Sequence, residues 1–321
     1  MSDDQDRFTA ETQRCRRELL AYCYRIVGSA SDAEDLVQET YLRAWRSYAS
    51  FERRASVRSW LYKIATNVCL TALQARRIRV LPSGLAAPSD GDRPPTQIAA
   101  DVAWLEPLPD AWTTPLAADP SAVVIGRESM RLALIASLQY LPVRQRAIFI
   151  LREILAFSAD ETAEALDTTV AAVKSGLQRV RARLDELAPD REELLEPSDP
   201  RARELLDGYV AAFERSDPAL LIQVLRADAT LEATPFRDWQ AGRANCIHLL
   251  TTYVLGTPGD WKMIATTANG HPAATVYRRD AEGAMRPNGI VVLAATATGI
   301  SRVIAFHHDP ALVELFARDS R

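Results

Sequence analysis

The sequence predicts a multidomain chain in which two all-α domains, the second a helix-turn-helix, precede a C-terminal α+β cone. Three observations lead there. Apolar residues recur every three or four positions in segments between Arg14 and Leu187, the signature of amphipathic helices. The series is broken at 81–125 by eight prolines. Beyond residue 225 the period changes to the alternation of half-buried strands.

With 321 residues the chain is longer than most single domains, so two or three units are expected. Hydrophobic content of 48% and charged content of 25% are those of an ordinary globular protein. No apolar run approaches the roughly 20 residues of a membrane helix, and the acidic start (Asp3, Asp4, Asp6) lacks the form of a signal peptide, so a cytoplasmic protein with no membrane partner is expected. Cys15, Cys23, Cys69 and Cys246 are scattered, with no C-x-x-C pair and no histidine at ligand spacing; they read as buried free thiols, and no metal or cofactor is expected. The net charge of −4 hides a segregation: residues 14–80 carry 13 Lys/Arg against 6 Asp/Glu, whereas 81–125 carry one Arg against six acids. A basic module is followed by an acidic tether.

In the first domain, 1–80, a helix from Arg14 to Val27 presents Leu19, Leu20, Tyr22, Cys23, Ile26 and Val27 and stops at Gly28. The next helix, capped by Ser31 or Asp32, holds Asp32 to Trp45. Val37, Tyr41, Ala44 and Trp45 form its expected buried stripe; the opposite side carries Asp35, Gln38, Glu39, Leu42 and Arg46, a polar face with one leucine in its middle. A short link containing Phe51, Arg53, Arg54 and Ser56 leads to a helix over Val57–Arg77 that mixes Trp60, Lys63 and Asn67 with the exit cluster Arg76, Arg77 and Arg79. Cations neutralise phosphates while flat groups stack on unpaired bases, so this composition suits nucleic acid; a partly buried Trp60 and a solvated basic helix end is the plainer alternative.

The acidic, proline-rich linker 81–125 could span about 150 Å if fully extended, at about 3.3 Å per residue. Its Val102-Ala-Trp-Leu105 patch and Trp112 are too aromatic for an inert spacer and are expected to dock on a neighbouring surface. In the domain 126–190, helices over Arg127–Tyr140 and from Val143 are followed by a short helix at Ser158–Leu166, a turn at Asp167–Thr169 and a longer helix at Val170–Leu187, the helix-turn-helix plan. Ser158 and Glu161 have capping-box spacing. Val173, Leu177, Val180 and Leu184 form the buried stripe of the last helix; Lys174, Ser175, Gln178, Arg179, Arg181 and Arg183 lie off it, and such a helix suits the major groove.

Two ordered motif sets now stand on one chain. Asp32-Ala-Glu-Asp-Leu-Val-Gln-Glu-Thr-Tyr-Leu-Arg-Ala-Trp with Trp60-Leu-Tyr-Lys-Ile-Ala-Thr-Asn, then Leu141-Pro with Val173-Lys-Ser-Gly-Leu-Gln-Arg-Val-Arg-Ala-Arg-Leu, resemble the second and fourth regions of an extracytoplasmic-function sigma factor. The resemblance implies a protein that binds core RNA polymerase and directs promoter-specific transcription initiation. It implies that Asp35, Gln38, Glu39, Leu42 and Arg46 bind the clamp coiled coil of the largest subunit. It also implies that Phe51, Arg54, Ser56, Trp60, Lys63, Asn67, Arg76 and Arg77 melt and read the −10 element. Lys174, Ser175, Gln178, Arg179 and Arg181 would enter the −35 major groove, the fourth region would meet the polymerase flap, and the acidic tether would thread toward the RNA path. Gly176 stands where the family often has a bulkier residue.

A minimal protein of this class would end near Ala188, yet 133 residues follow. Helices at Arg201–Glu214, Pro218–Leu225 and Arg243–Val254, with five strands from Ala229 to Phe306, make an expected cone at 197–321. Through Trp239-Gln-Ala-Gly-Arg, Asn269-Gly-His-Pro-Ala and Ile304-Ala-Phe this part resembles the SnoaL-like domain of an actinobacterial sigma group. Trp239, Trp261, His271, Tyr277 and His307 are its candidate pocket residues, and a catalytic pair of His271 with Asp238 is conceivable. Catalysis, small-ligand sensing and a regulatory surface remain open for the pocket. For the chain, the expectation is a non-enzymatic sigma factor whose C-terminal domain contacts the sigma domains and modulates them. The alternative is a SnoaL-like enzyme or sensor carrying a DNA-binding arm. Whether a separate anti-sigma protein acts is left open.

Overall fold

Helix α2 (Arg16–Val27) buries all six apolar residues expected of it and ends at Gly28, whose φ of 69° is a left-handed cap that a side chain would strain. The computed structural model that shows this describes residues 2–51, 56–74, 78–89, 93–98, 102–112, 128–187, 193–307 and 309–317. Contacts divide the chain into two units, Met1–Arg79 with Ala111–Pro189, and Val80–Asp110 with Asp190–Arg321.

In the helical unit α1 (Ser2–Thr12), absent from the sequence expectations, precedes α2, α3 (Ala30–Ser47) and α4 (Val57–Leu73). Ser29 rather than Ser31 or Asp32 caps α3, its Oγ accepting from the Asp32 amide at 3.1 Å. The buried stripe of α3 is also displaced: Ala33, Leu36, Val37, Thr40 and Ala44 are buried, whereas Trp45 is 39% exposed and Tyr41 half-buried. Both aromatics instead meet Phe8 of α1 edge-on, at 5.3 Å for Trp45 and 6.3 Å for Tyr41. Within the three-helix core, Tyr22 of α2 meets Tyr62 of α4 edge-on at 5.1 Å and hydrogen-bonds Thr66 Oγ1 at 2.6 Å. Cys23 and Cys69 are buried free thiols with Sγ atoms 3.8 Å apart, as the sequence suggested.

The second half of this unit holds α5 (Leu132–Gln139), α6 (Val143–Phe149, continued by a π-turn at Ile150–Ile154), α7 (Ala159–Ala165) and α8 (Val170–Leu187). Gly176 of α8 lets the helix approach α6 closely: a Cβ there would lie 2.7 Å from Ile148 Cδ1.

Two buried arginines join the halves. Arg146 of α6 donates to the carbonyl of Ile26, to Gln139 Oε1 at 2.7 Å, and to the carbonyls of Gln139 and Leu141 at 3.0 and 3.1 Å. These carbonyls belong to the C-terminal ends of α2 and α5, where orphan acceptors and the negative ends of two helix dipoles receive a cation. Burial pushes its pKa down to about 10, which leaves it charged at neutral pH. Arg25, also buried, reaches Ser129 Oγ at 2.8 Å.

In the second unit α9 (Pro200–Glu214) and α10 (Pro218–Val224) lead into a six-stranded sheet. Its strands are β1 (Leu225–Thr234), β2 (Gln240–Ala241), β3 (Trp261–Ala268), β4 (His271–Arg279), β5 (Met285–Thr296) and β6 (Gly299–His307), in the order β2-β1-β6-β5-β4-β3. Only β1 and β6 are parallel. The core between α9, α11 (Arg243–Tyr253) and the sheet includes Leu205, Phe213, Leu250, Trp261, Val276 and Leu293. Strand β2 and the last helix α12 (Pro310–Ala317), which packs on β5 and β4, were missed because two residues show no period and α12 follows the strand pattern with a single apolar turn.

The tether segment Val80–Asp110 belongs to this second unit and is hydrogen-bonded along it. Ser83 donates to the buried Glu232 at 3.0 Å, Trp239 Nε1 to the Ala86 carbonyl at 2.7 Å, and Thr96 N to Asp238 at 2.7 Å. At the far end Leu108 N meets Asn269 Oδ1 at 2.8 Å, and Asp110 accepts from Gly270 N at 2.8 Å.

Replacing Arg146 with Met strands four acceptors at the junction of α2, α5 and α6; we expect a loss of about 3 kcal/mol, read from urea unfolding of the full chain. Arg146→Lys should restore less than half of it, because an ammonium cannot fork between two helix ends.

Candidate polymerase and promoter interface and the C-terminal cavity

The polar face of α3 stands free as a surface. Asp35, Gln38 and Arg46 are exposed, Leu42 is 52% exposed, and the half-buried Glu39 is held by Arg43 at 2.6 Å. An aliphatic side chain so exposed between acidic and amide groups has the make-up of a docking patch. Arg43 was absent from the expected face; its spacing of four from Glu39 was the available signal.

Of the candidates for unpaired DNA, Phe51 and Trp60 stack on each other, with centroids 4.5 Å apart and planes at 22°. Ser56 has a structural task, capping α4 through the Ser59 amide at 3.0 Å. Lys63 pairs with Asp167 at 2.9 Å, and Asn67 is exposed. Arg54, Arg76 and Arg77 lie outside the described residues. On α8, Lys174, Gln178 and Arg179 are exposed, Ser175 is half-buried, and Arg181 makes two contacts of 3.0 Å with Glu153. Val173, Leu177 and Val180 are buried as expected, together with Gly176, while Leu184 is half-buried.

The −10 candidate helix and the helix-turn-helix touch. Tyr62 of α4 meets Phe157 edge-on at 5.1 Å, and the Arg58 guanidinium lies 4.8 Å from the same ring. Lys63 reaches Asp167, which sits in the turn between α7 and α8 at a φ of 46°. Neither Arg58 nor Phe157 was foreseen, because nothing local to either segment specifies a contact across 99 residues of sequence.

The C-terminal unit holds a partly open cavity of about 340 Å³ between the sheet, α9 and α11. Among the expected pocket residues Trp261 and His307 line it, as does Asp238. Trp239, His271 and Tyr277 do not, which corrects the expectation. Trp239 is occupied with the tether through Ala86, and Tyr277 alternates with the lining residues Val276 and Arg278 and so faces the other side of the sheet. His271 is buried at the start of β4, so His271 and Asp238 do not share the cavity. Sequence inspection missed Tyr209 and Gln240, which line it; an amide in a two-residue strand gives no periodic signal.

Residues 12–78 match the family described as Sigma-70 region 2, and residues 131–184 that described as Sigma-70, region 4. The ECF RNA polymerase sigma factor SigG of Mycobacterium tuberculosis is 45% identical over 301 residues, covering 93% of this chain and 80% of the relative. SigJ of the same organism is 29% identical over 222 residues, 69% of this chain and 63% of the relative. The crystal structure of M. tuberculosis SigJ shares the fold, with a TM-score of 0.61 over 96% of this chain and 98% of that one at 21% identity. The chain belongs to the extracytoplasmic-function RNA polymerase sigma factors. It works with core RNA polymerase and promoter DNA in transcription initiation, and it carries a C-terminal α+β unit besides the two sigma regions. No helix among the described residues is long and apolar enough to cross a membrane.

The helix-turn-helix opens on a complete capping box, Ser158 Oγ accepting from Glu161 N at 3.1 Å and Glu161 from Ser158 N at 2.8 Å. The Ser158 amide and hydroxyl hold the Glu161 carboxyl below its ordinary value of 4.5. A depressed folded-state pKa stabilises above the unfolded value and is lost as pH falls through the folded one. The melting temperature of the native chain should therefore exceed that of Glu161→Gln at neutral pH, and the gap should close as the pH is lowered past the ordinary carboxylate range.

Proposed function

We propose that α3 docks on the clamp coiled coil of the polymerase's largest subunit through Asp35, Gln38, Glu39, Leu42 and Arg46. The Phe51–Trp60 stack with Ser56, Lys63 and Asn67 handles the melting −10 element, with Arg54, Arg76 and Arg77 contributing charge. Lys174, Ser175, Gln178, Arg179 and Arg181 read the −35 element, and the fourth region meets the flap. The observation that carries the assignment is the coexistence of an exposed, leucine-centred polar face on α3 with a cation-bearing open face on α8.

The contact between α4 and the helix-turn-helix makes this a closed form. Two promoter elements about 25 base pairs apart lie about 85 Å apart on straight DNA, at about 3.4 Å per pair. Halves joined through Lys63–Asp167 and Tyr62–Phe157 cannot reach both, so binding to core has to open them. The chain acts in the cytoplasm as a non-enzymatic factor, and its C-terminal unit regulates; the separation of His271 from the cavity that Asp238 lines supports a non-catalytic role.

Gln38→Ala combined with Glu39→Ala should weaken core binding at least about tenfold while leaving the unfolding curve unchanged; unaltered affinity for purified core would reject the docking face. Phe157→Leu removes the Tyr62 and Arg58 ring contacts while keeping apolar volume, and it should raise apparent affinity for core about three- to tenfold by favouring the open form. Promoter-specific transcription by the reconstituted holoenzyme is the direct test of the whole assignment.

A further inference from the structure

Gln240 is 1% exposed and lines the C-terminal cavity, yet neither its Oε1 nor its Nε2 has a hydrogen-bond partner. A buried carboxamide without partners forfeits the hydrogen bonds it makes in water, so native interiors rarely keep one idle. Around it the cavity is mostly apolar, with Phe213, Leu231, Leu250, Val291 and Ala305 among its walls. At 340 Å³ it lies at the small end of the range of about 300–1,000 Å³ in which ligand cavities fall. The other polar side chains of the lining are Asp238, Arg278, Asn288, His307 and the tyrosines Tyr209 and Tyr253. Asp238 accepts from Thr96 N at 2.7 Å, and Asn288 and His307 are joined at 3.0 Å.

We propose that this cavity is a binding site for a small, mainly apolar molecule bearing a neutral donor–acceptor headgroup, a carboxamide or lactam, paired with Gln240, and that its occupancy fastens the tether. A carboxamide offers one acceptor and one donor side by side, which is the complement of another carboxamide. Asp238 and Arg278 both line the cavity, one of each sign, so neither an anionic nor a cationic headgroup is favoured by a net charge of the walls. The coupling follows from the walls: Pro94 and Pro95 of the tether line the cavity, and the next residues are held by Thr96 N to Asp238 and by Ile98 N to the Pro235 carbonyl at 3.0 Å. A ligand that contacts both tether and sheet binds only while the tether is docked, so it must shift the tether toward the docked state. The tether is the covalent link between the two sigma regions, so the site has a direct route to the spacing they adopt.

The test uses the full chain and three probes sharing one bicyclic body: 2-naphthamide, 2-naphthoate and 2-ethylnaphthalene. Binding is followed by Trp261 fluorescence and calorimetry. 2-Naphthamide should bind, Gln240→Leu should weaken it by at least about tenfold, and 2-ethylnaphthalene should bind that variant no less well than the native chain. Ala233→Leu, which fills the cavity from β1, should abolish naphthamide binding and provides the second variant should Gln240→Leu fold poorly. Hydrogen exchange at the Thr96 and Ile98 amides should slow about tenfold at a naphthamide concentration ten times its Kd. Absence of naphthamide binding together with a raised melting temperature of Gln240→Leu would show an idle amide and overturn the site. Tighter binding of 2-naphthoate would overturn the neutral headgroup, and unchanged exchange at saturation would overturn the coupling.

Discussion

A guanidinium held between the ends of two helices is the constraint on which the helical unit depends. Arg146 meets no carboxylate among its described partners; its two terminal nitrogens donate to carbonyls at the ends of α2 and α5 and to one amide oxygen, while its buried Nε has no hydrogen-bond partner. A charge buried this way tolerates little displacement, since each lost contact exposes both a cation and an unpaired carbonyl to a medium that solvates neither. It thereby sets how the first three-helix core meets the second half of the unit. The aromatic contact of Tyr62 with Phe157 and the exposed Lys63–Asp167 pair are secondary to it, because a solvent-exposed ion pair contributes little.

This ranking bears on function. The contacts joining the two halves of the helical unit combine one strong polar junction, between α6 and the ends of α2 and α5, with weaker ones between α4 and the helix-turn-helix, an arrangement compatible with the proposed opening. Polymerase binding supplies many contacts at once and can outweigh the junction. In the C-terminal unit the tether is fastened by hydrogen bonds spread from Ser83 to Asp110 and by the buried side chains of Leu105 and Leu108. Pro94 and Pro95 of the same segment help to wall the cavity, which is where the proposed ligand would bear on it.

Much of the helical half was readable in the sequence because its signals are local. The α2 stripe, the Ser158–Glu161 capping box, the turn at Asp167 and the buried Val173, Leu177 and Val180 all follow from spacing within a few residues. Failures came where a residue's neighbour is distant. Trp45 has the spacing of a core residue, but α1 supplies a separate aromatic shelf for it through Phe8. Trp239 looked like a pocket wall and is a strap for the tether, its Nε1 donating to the carbonyl of Ala86, 153 positions away.

By itself the sequence determined most of the helices and strands, though not α1, β2 or α12, together with which faces carry charge and the order of two sigma regions, a tether and an α+β unit, because periodicity, caps and charge are properties of neighbouring residues. Only the tertiary structure decided that the two regions close on each other, that the tether lies along the sheet, and that Asp238 shares a cavity with Gln240 rather than with His271. Those outcomes depend on contacts between residues tens to more than a hundred positions apart. Such contacts are selected by the packing of whole elements and the satisfaction of buried polar groups, and no short stretch of sequence encodes either.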